Sequence, residues 1–195
     1  MSMLSQEELT ALGFKSVGKD VRISNKASFY NCANIEIGDS VRIDDYCVLS
    51  AGVGGIKLGS YIHIAVFSSL IGSGKIEIKD FCNISSRVSI YSSSDDYSGQ
   101  SMSNPMIPDD FKEVFSAPII FEKHVIIGAS SVILPGVHLM QGVAVGAMSL
   151  VKESCSEFSI IAGIPAKKVK DRQKSLLKLE EEFLKKMEGD KTSSH

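Results

Sequence analysis

The sequence predicts an all-β solenoid, a parallel β-helix. Two observations carry that prediction. From Val17 to Val151 an aliphatic residue, or a phenylalanine, opens hexapeptide after hexapeptide. A fixed period sustained over this much chain marks a repeat architecture. Neither the ~3.6-residue face of a helix nor the two-residue face of an ordinary strand has this spacing.

The repeats run in order. Val17, Ile23, Phe29 and Ile35 form the first series, and a short slip leads to Ile37, Ile43 and Leu49. Leu58, Ile64 and Leu70 follow, then Ile78, Ile84 and Ile90. After an interruption the series resumes at Phe121, Ile127, Ile133, Leu139, Val145 and Val151. Six residues suit one flat side of a coil, so three hexapeptides make a triangular turn. Stacked turns then give parallel strands roughly 4.8 Å apart. The fourth residue after each aliphatic is small or β-branched in many repeats, as in Val41, Cys47, Val88, Val125 and Ser131. That position falls near a corner, where space is short. Gly-Asp, Gly-Ser and Lys-Asp pairs supply turn chemistry. Each coil buries its apolar side only against its neighbours, so several are needed. A β-sandwich with repeated turns is the alternative.

The flanks read differently. Residues 1–16 hold a short helix, with Ser5 as N-cap, Glu8 three residues on and Gly13 as its stop. The solenoid occupies 17–170. Within it, Ser92 to Pro118 is rich in Ser, Asp, Asn and Pro and lacks the period; a loop of this length is expected to be functional. Ser154 to Pro165 leaves the coil. In 171–195, Leu176, Leu179, Phe183 and Met187 lie on one face of an amphipathic helix, expected to pack on the coil or on a neighbouring subunit.

Composition excludes several function classes. The 195 residues carry a formal net charge of −2, which gives no electrostatic case for nucleic acid or anionic membrane. No apolar run approaches the ~20 residues of a membrane span, and no basic-then-apolar leader opens the chain. Cys32, Cys47, Cys82 and Cys155 are far apart, with no CxxC pair. Reduced thiols in a cytoplasmic protein fit this pattern better than disulfides or zinc.

The C-terminal coils carry the most specific motifs: Val125-Ile126-Ile127-Gly128-Ala129, Ile133-Leu134-Pro135-Gly136-Val137, Val145-Gly146-Ala147-Met148-Ser149 and Ala162-Gly163-Ile164-Pro165-Ala166-Lys167. With the hexads, they resemble the hexapeptide-repeat acyltransferase superfamily, specifically its sugar O-/N-acetyltransferases of the maltose, galactoside, xenobiotic and O-antigen types. The resemblance implies a left-handed β-helix, against the usual right-handed crossover. It also implies a homotrimer with acetyl-CoA lying between subunits. Ala129 and Ala147 match the positions that contact the pantetheine arm, with Gly128, Gly146 and Ser149 beside them. Lys167 and Lys170 match the basic positions at the nucleotide end, and Lys152 and Lys168 are near; lysine clusters recognise phosphate as point charges.

The catalytic centre departs from the resemblance. Transfer to a hydroxyl needs a base, for which histidine suits neutral pH. The family's histidine lies in the long loop, whereas Tyr91 to Gly99 here contains none. His63, in a Tyr-Ile-His-Ile-Ala string shared with some relatives, is the expected substitute, as base or as cofactor ligand. His124 is a second candidate, His138 reads as an exposed corner, and His195 is in the tail. Asp95 and Asp96 are the other catalytic candidates, as base or acceptor ligand; an Asp pair in such a loop also suits a turn. Tyr97 and Asn104 are expected acceptor contacts. An amine acceptor relaxes the need for a base.

The expectation is an acetyl-CoA-dependent acetyltransferase that modifies a sugar or nucleotide sugar on oxygen or nitrogen, in surface-polysaccharide biosynthesis. Direct transfer in a ternary complex is expected, because no cysteine or serine has an activated setting. No metal is expected. A gamma-type carbonic anhydrase needs three zinc-binding histidines, whose paired spacing is missing. A non-catalytic trimeric scaffold is the other alternative. Nucleotidyltransferases with such coils carry a large preceding domain, for which the first 16 residues leave no room.

Overall fold

The computed structural model describes residues 2–192, so His195 lies outside the described residues. The chain forms a left-handed parallel β-helix of triangular section. Successive short strands go in turn to three sheets. The first face stacks Ser16–Val17, Ile35–Ile37, Ile56–Leu58, Ile76–Ile78, Ile119–Phe121 and His138–Leu139. The second stacks Arg22–Ile23, Arg42–Ile43, His63–Ile64, Asn83–Ile84, Ile126–Ile127, Ala144–Val145 and Ser159–Gly163. The third stacks Ser28–Tyr30, Val48–Ala51, Ser69–Gly72, Ser89–Tyr91, Val132–Ile133 and Leu150–Val151. The first edge joins the first face to the second, the second edge joins second to third, and the third edge returns to the first face of the next coil.

The hexad-opening residues are the inward columns. Ile23, Ile43, Ile64, Ile84, Ile127, Val145 and Ile161 form the second face's column, each 4% exposed or less. Full burial of one such side chain stabilises by roughly 1.5–3 kcal/mol. The corners oppose this. Tyr61, Phe81 and His124 on the first edge, and Tyr46, Phe67 and Arg87 on the second, all have φ between 58° and 63°. A left-handed non-glycine residue costs of order 1–3 kcal/mol. Each complete coil buries three aliphatics or more, which outweighs its strained corners. The small or β-branched residues expected near the corners, such as Val41, Cys47 and Val125, are the next residues along and are fully buried. The corner residues themselves stack aromatic rings: Tyr61 on Phe81 at 5.1 Å and Phe81 on His124 at 5.0 Å.

The appendages pack on the coil. Gln6–Ala11 is helical, and Ser5 and Glu8 cap each other reciprocally. Ala166–Asp171 folds back antiparallel on Ser159–Gly163. The helix Ser175–Thr192 then docks on the first edge, where Phe183 meets Tyr61 edge-on at 5.1 Å and Glu180 meets His124 at 2.6 Å. Of the two packing partners expected for it, the coil is the one seen.

Candidate active site

The second edge carries a strip of small residues. Each strand of the second face ends in two edge residues, which stack from coil to coil as Ala65-Val66, Ser85-Ser86, Gly128-Ala129, Gly146-Ala147 and Ala162-Gly163. A Cβ on Gly128 would fall on the backbone nitrogen of Ala147, and one on Gly146 would come within 2.9 Å of the Ala162 Cβ. These glycines are needed for coil stacking. Ala129, half-buried, and Ala147, exposed, supply the outward surface. Ser149, expected beside the cofactor, serves the coil itself. It is buried, and its Oγ donates to the Gly146 carbonyl at 2.7 Å and accepts from the Gly163 N–H at 3.1 Å. At the C-terminal tip Lys152 and Lys167 converge on Glu153, at 3.8 and 3.5 Å, and Lys170 stands exposed on the returning strand. Small residues leading to exposed lysines fit a pantetheine arm ending in phosphates.

His63 lies on the outward side of the second face, in the column Arg22, Arg42, His63, Asn83. Its Nε2 is 2.8 Å from Asp44 Oδ2 and its Nδ1 is 3.2 Å from Asn83 Oδ1. Arg42 Nε donates to the other Asp44 oxygen at 2.7 Å. Burial pushes the Asp44 carboxyl up, but the hydrogen bonds and charges of His63 and Arg42 together overcome it and hold it below the usual carboxylate range. Both His63 ring nitrogens thus have partners within the chain. His124 is tied to Glu180 beneath the C-terminal helix, and His138 to Glu122 at 3.1 Å. The internal histidines thus serve three different carboxylates and do not converge.

The insertion leaves the third edge as a hairpin, with Ser93–Asp95 antiparallel to Val114–Ser116. Asp96, expected as a catalytic candidate, clamps its own loop in this structure. Its Oδ1 accepts from the Ser98 N–H at 2.7 Å, and its Oδ2 accepts from the Ser101 N–H at 2.9 Å and the Ser101 hydroxyl at 3.2 Å. Those donors hold it far below the ordinary carboxylate range. Asn104 is likewise a turn residue, at φ 86° with its Oδ1 accepting from the Met106 N–H at 2.9 Å. Asp95 is exposed, and its carboxylate has no partner among the described residues. Tyr97 is 93% exposed near the hairpin's end.

The fold separates what the sequence grouped. The hairpin springs from the third edge, which in a triangular section is opposite the second face that carries His63. Within one chain, His63 does not meet Asp95 or Asp96. The second and third edges are instead the two margins of the third face. The strands of that face carry no charge on its outward side, Lys152 following just beyond the last of them: Ser28, Val48, Ser69, Ser89, Val132 and Leu150 form one column, and Tyr30, Ser50, Ile71 and Tyr91 another. Sequence reasoning passed over Ser85 and Ser86. Their signal was hexad position, since they fill the two places held by Gly128-Ala129 in the next coil.

Comparison with known proteins gives the family. No family model matches the chain. It is 55% identical over 190 residues to dTDP-4-amino-4,6-dideoxy-D-glucose acyltransferase of Escherichia coli, spanning 97% of this chain and 99% of that one. It is 31% identical over 158 residues to the lipopolysaccharide biosynthesis O-acetyl transferase WbbJ of Escherichia coli K12, spanning 76% of this chain and 74% of the relative. Among solved structures it superposes with a TM-score of 0.92 on AntD, an N-acyltransferase from Bacillus cereus in complex with dTDP and 3-hydroxybutyryl-CoA. The identity is 50%, and the match covers 96% of this chain and 98% of AntD. The chain belongs to the hexapeptide-repeat family of sugar acyltransferases and is an acyl-CoA-dependent enzyme.

Proposed function

We propose that the protein transfers an acetyl group from acetyl-CoA to the amine of a nucleotide-linked amino sugar, dTDP-4-amino-4,6-dideoxyglucose. The Escherichia coli relative carries that sugar in its name. One observation carries the site: the cofactor strip and the Asp95 hairpin lie on opposite margins of one uncharged sheet face. In a closed three-fold ring built on that face, the second edge of one subunit abuts the third edge of the next. The reactive centre then lies between subunits, and the homotrimer is the unit of catalysis.

Each residue takes a role there. Ala129 and Ala147 line the pantetheine arm, and Lys152, Lys167 and Lys170 take the phosphates. Ser85 and Ser86 face the thioester end. Asp95 of the neighbouring subunit accepts the proton of the acceptor ammonium. The freed amine attacks the thioester carbon, the C–S bond breaks, and CoA leaves as its thiol by taking up the proton that the new amide nitrogen loses. AntD has been crystallised with single substitutions at a serine and at an aspartate ten positions further on. Ser85 and Asp95 have that spacing here, as do Ser86 and Asp96; of the two aspartates, Asp95 is the one not committed to the loop. Acyl-CoA and nucleotide sugars are cytoplasmic metabolites, which supports the cytoplasm as the working compartment. The WbbJ likeness supports a place in surface-polysaccharide synthesis.

The test is an assay of thiol release from acetyl-CoA and from 3-hydroxybutyryl-CoA with the dTDP-amino sugar, with product masses read. Amide product from acetyl-CoA supports the proposal. Product only with the longer donor, or only with a hydroxyl acceptor, refutes the acetyl or the amine assignment respectively.

A further inference from the structure

We propose that Arg87 binds the diphosphate of the nucleotide-sugar acceptor. This rests on the nucleotide-sugar reading above. Arg87 follows Ser85 and Ser86 on the second edge, one coil to the N-terminal side of the Gly128-Ala129 pair. It is exposed, at φ 59°, and no carboxylate pairs with it among the described residues.

Its guanidinium is held in place. The Arg87 Cζ lies 5.3 Å from the Phe67 ring centroid, and Phe67 stacks on Tyr46 at 5.0 Å with 13° between the planes. Lys26 closes the far end, 5.5 Å from the Tyr46 ring. Both rings are half exposed, but their faces are covered by the neighbours in this ladder. The ladder therefore offers edges and does not stack a base. A guanidinium lying on an aromatic face keeps its in-plane N–H donors free, the geometry that takes phosphate oxygens bidentately. The two ends differ in a telling way. Lys26 is 3.4 Å from Asp45, whereas Arg87 has no such neutralising partner.

Two anionic groups reach this enzyme, the acceptor's diphosphate and the phosphates of CoA. Position separates them. Lys167 and Lys170 sit in the last strand, beside Ser159–Gly163, which lies three coils beyond Asn83–Ile84. At about 4.8 Å per coil that is roughly 14 Å, a distance suited to the extended pantetheine arm. Arg87 lies at the thioester end, where the acceptor sugar sits, and the diphosphate is attached directly to that sugar.

The experiment titrates wild type, Arg87→Ala, Arg87→Lys and Phe67→Leu with dTDP and, separately, with CoA by calorimetry. Steady-state KM values for both substrates accompany it. Arg87→Ala is expected to weaken dTDP binding at least about tenfold and to raise the nucleotide-sugar KM alike. CoA binding and the acetyl-CoA KM stay at the wild-type value. Arg87→Lys recovers part of the loss, and Phe67→Leu shows a smaller loss through Arg87's lost support. Unchanged dTDP binding in Arg87→Ala overturns the proposal, as does a loss confined to CoA. Wild-type protein that binds CoA but not dTDP overturns the nucleotide-sugar reading itself, a result distinct from either.

Discussion

His63 Nε2 lies 2.8 Å from Asp44 Oδ2, a carboxylate one coil below it that also binds Arg42. The imidazole is thereby a strut across the second face. His63→Gln is expected to retain kcat within about tenfold and to leave the shape of the pH–rate profile unchanged. A general base would cost roughly 10²–10⁴-fold. A loss of that size, with a missing acid limb, would make His63 the base after all.

Asp95 and Asp96 are neighbours with separable effects. Asp95→Asn is expected to lower kcat about 10²-fold or more without moving the melting temperature. Asp96→Asn is expected to loosen the hairpin, read as faster proteolytic cleavage within 92–118. Because the loop's donors depress its pKa, the Asp96 clamp persists on acidification until well below the ordinary carboxylate range. Equal kinetic losses with an intact loop in both variants would contradict this division.

A site shared between subunits predicts complementation. Ala147→Trp is expected to block the proposed cofactor strip, and Asp95→Asn to remove the proposed base. Each is expected to be inactive alone, while co-refolded mixtures regain activity through sites that draw a sound strip and a sound hairpin from different chains. Ser69→Arg, on the uncharged face, is expected to yield monomers in sedimentation and no turnover. Mixtures that stay inactive would place the whole site in one chain.

Acid should release the C-terminal helix. Burial pushes Glu180 up, but the hydrogen bonds and charges of His124 and Lys123 overcome it and hold it below its ordinary value of 4.5. A carboxyl depressed in the folded state stabilises fully above its unfolded pKa, and that stability is lost as pH falls through the folded value. Hydrogen exchange across 175–189 is therefore expected to accelerate as pH falls below that ordinary value. Glu180→Gln should show fast exchange already at neutral pH and lose the acid dependence.

Direct transfer predicts indifference to thiol reagents. Burial raises the Cys82 thiol to about 12, and Cys47 and Cys155 to about 11. Cys32 is also raised by burial. Thiolates are the reactive form, so iodoacetamide at neutral pH is expected to leave native turnover unchanged. Inactivation matched to labelling of one cysteine would point to an acyl-enzyme instead.

The sequence by itself determined the coil. Every hexad-opening residue from Val17 to Val151 lies in the inward column of its face, or, as Ile35 does, beside it. A period of six is a local property of the chain, set by the burial of one side chain per flat side. The strip at Ala129 and Ala147, the Ser5 cap and the helix carrying Phe183 were legible for the same reason, because each is written in neighbouring residues. Tertiary structure decided the rest. Asp44 meets His63 from 19 positions away, and Glu180 reaches His124 from 56. Asp95 is uncommitted while adjacent Asp96 is spent, which depends on how the hairpin folds back on Ser98 and Ser101. The stacking of Phe67 beneath Arg87 follows from left-handed corners that bring residues a full coil apart into register. Coil stacking converts distances of about twenty residues into ring contacts near 5 Å, and a six-residue period does not say which side chains will meet there.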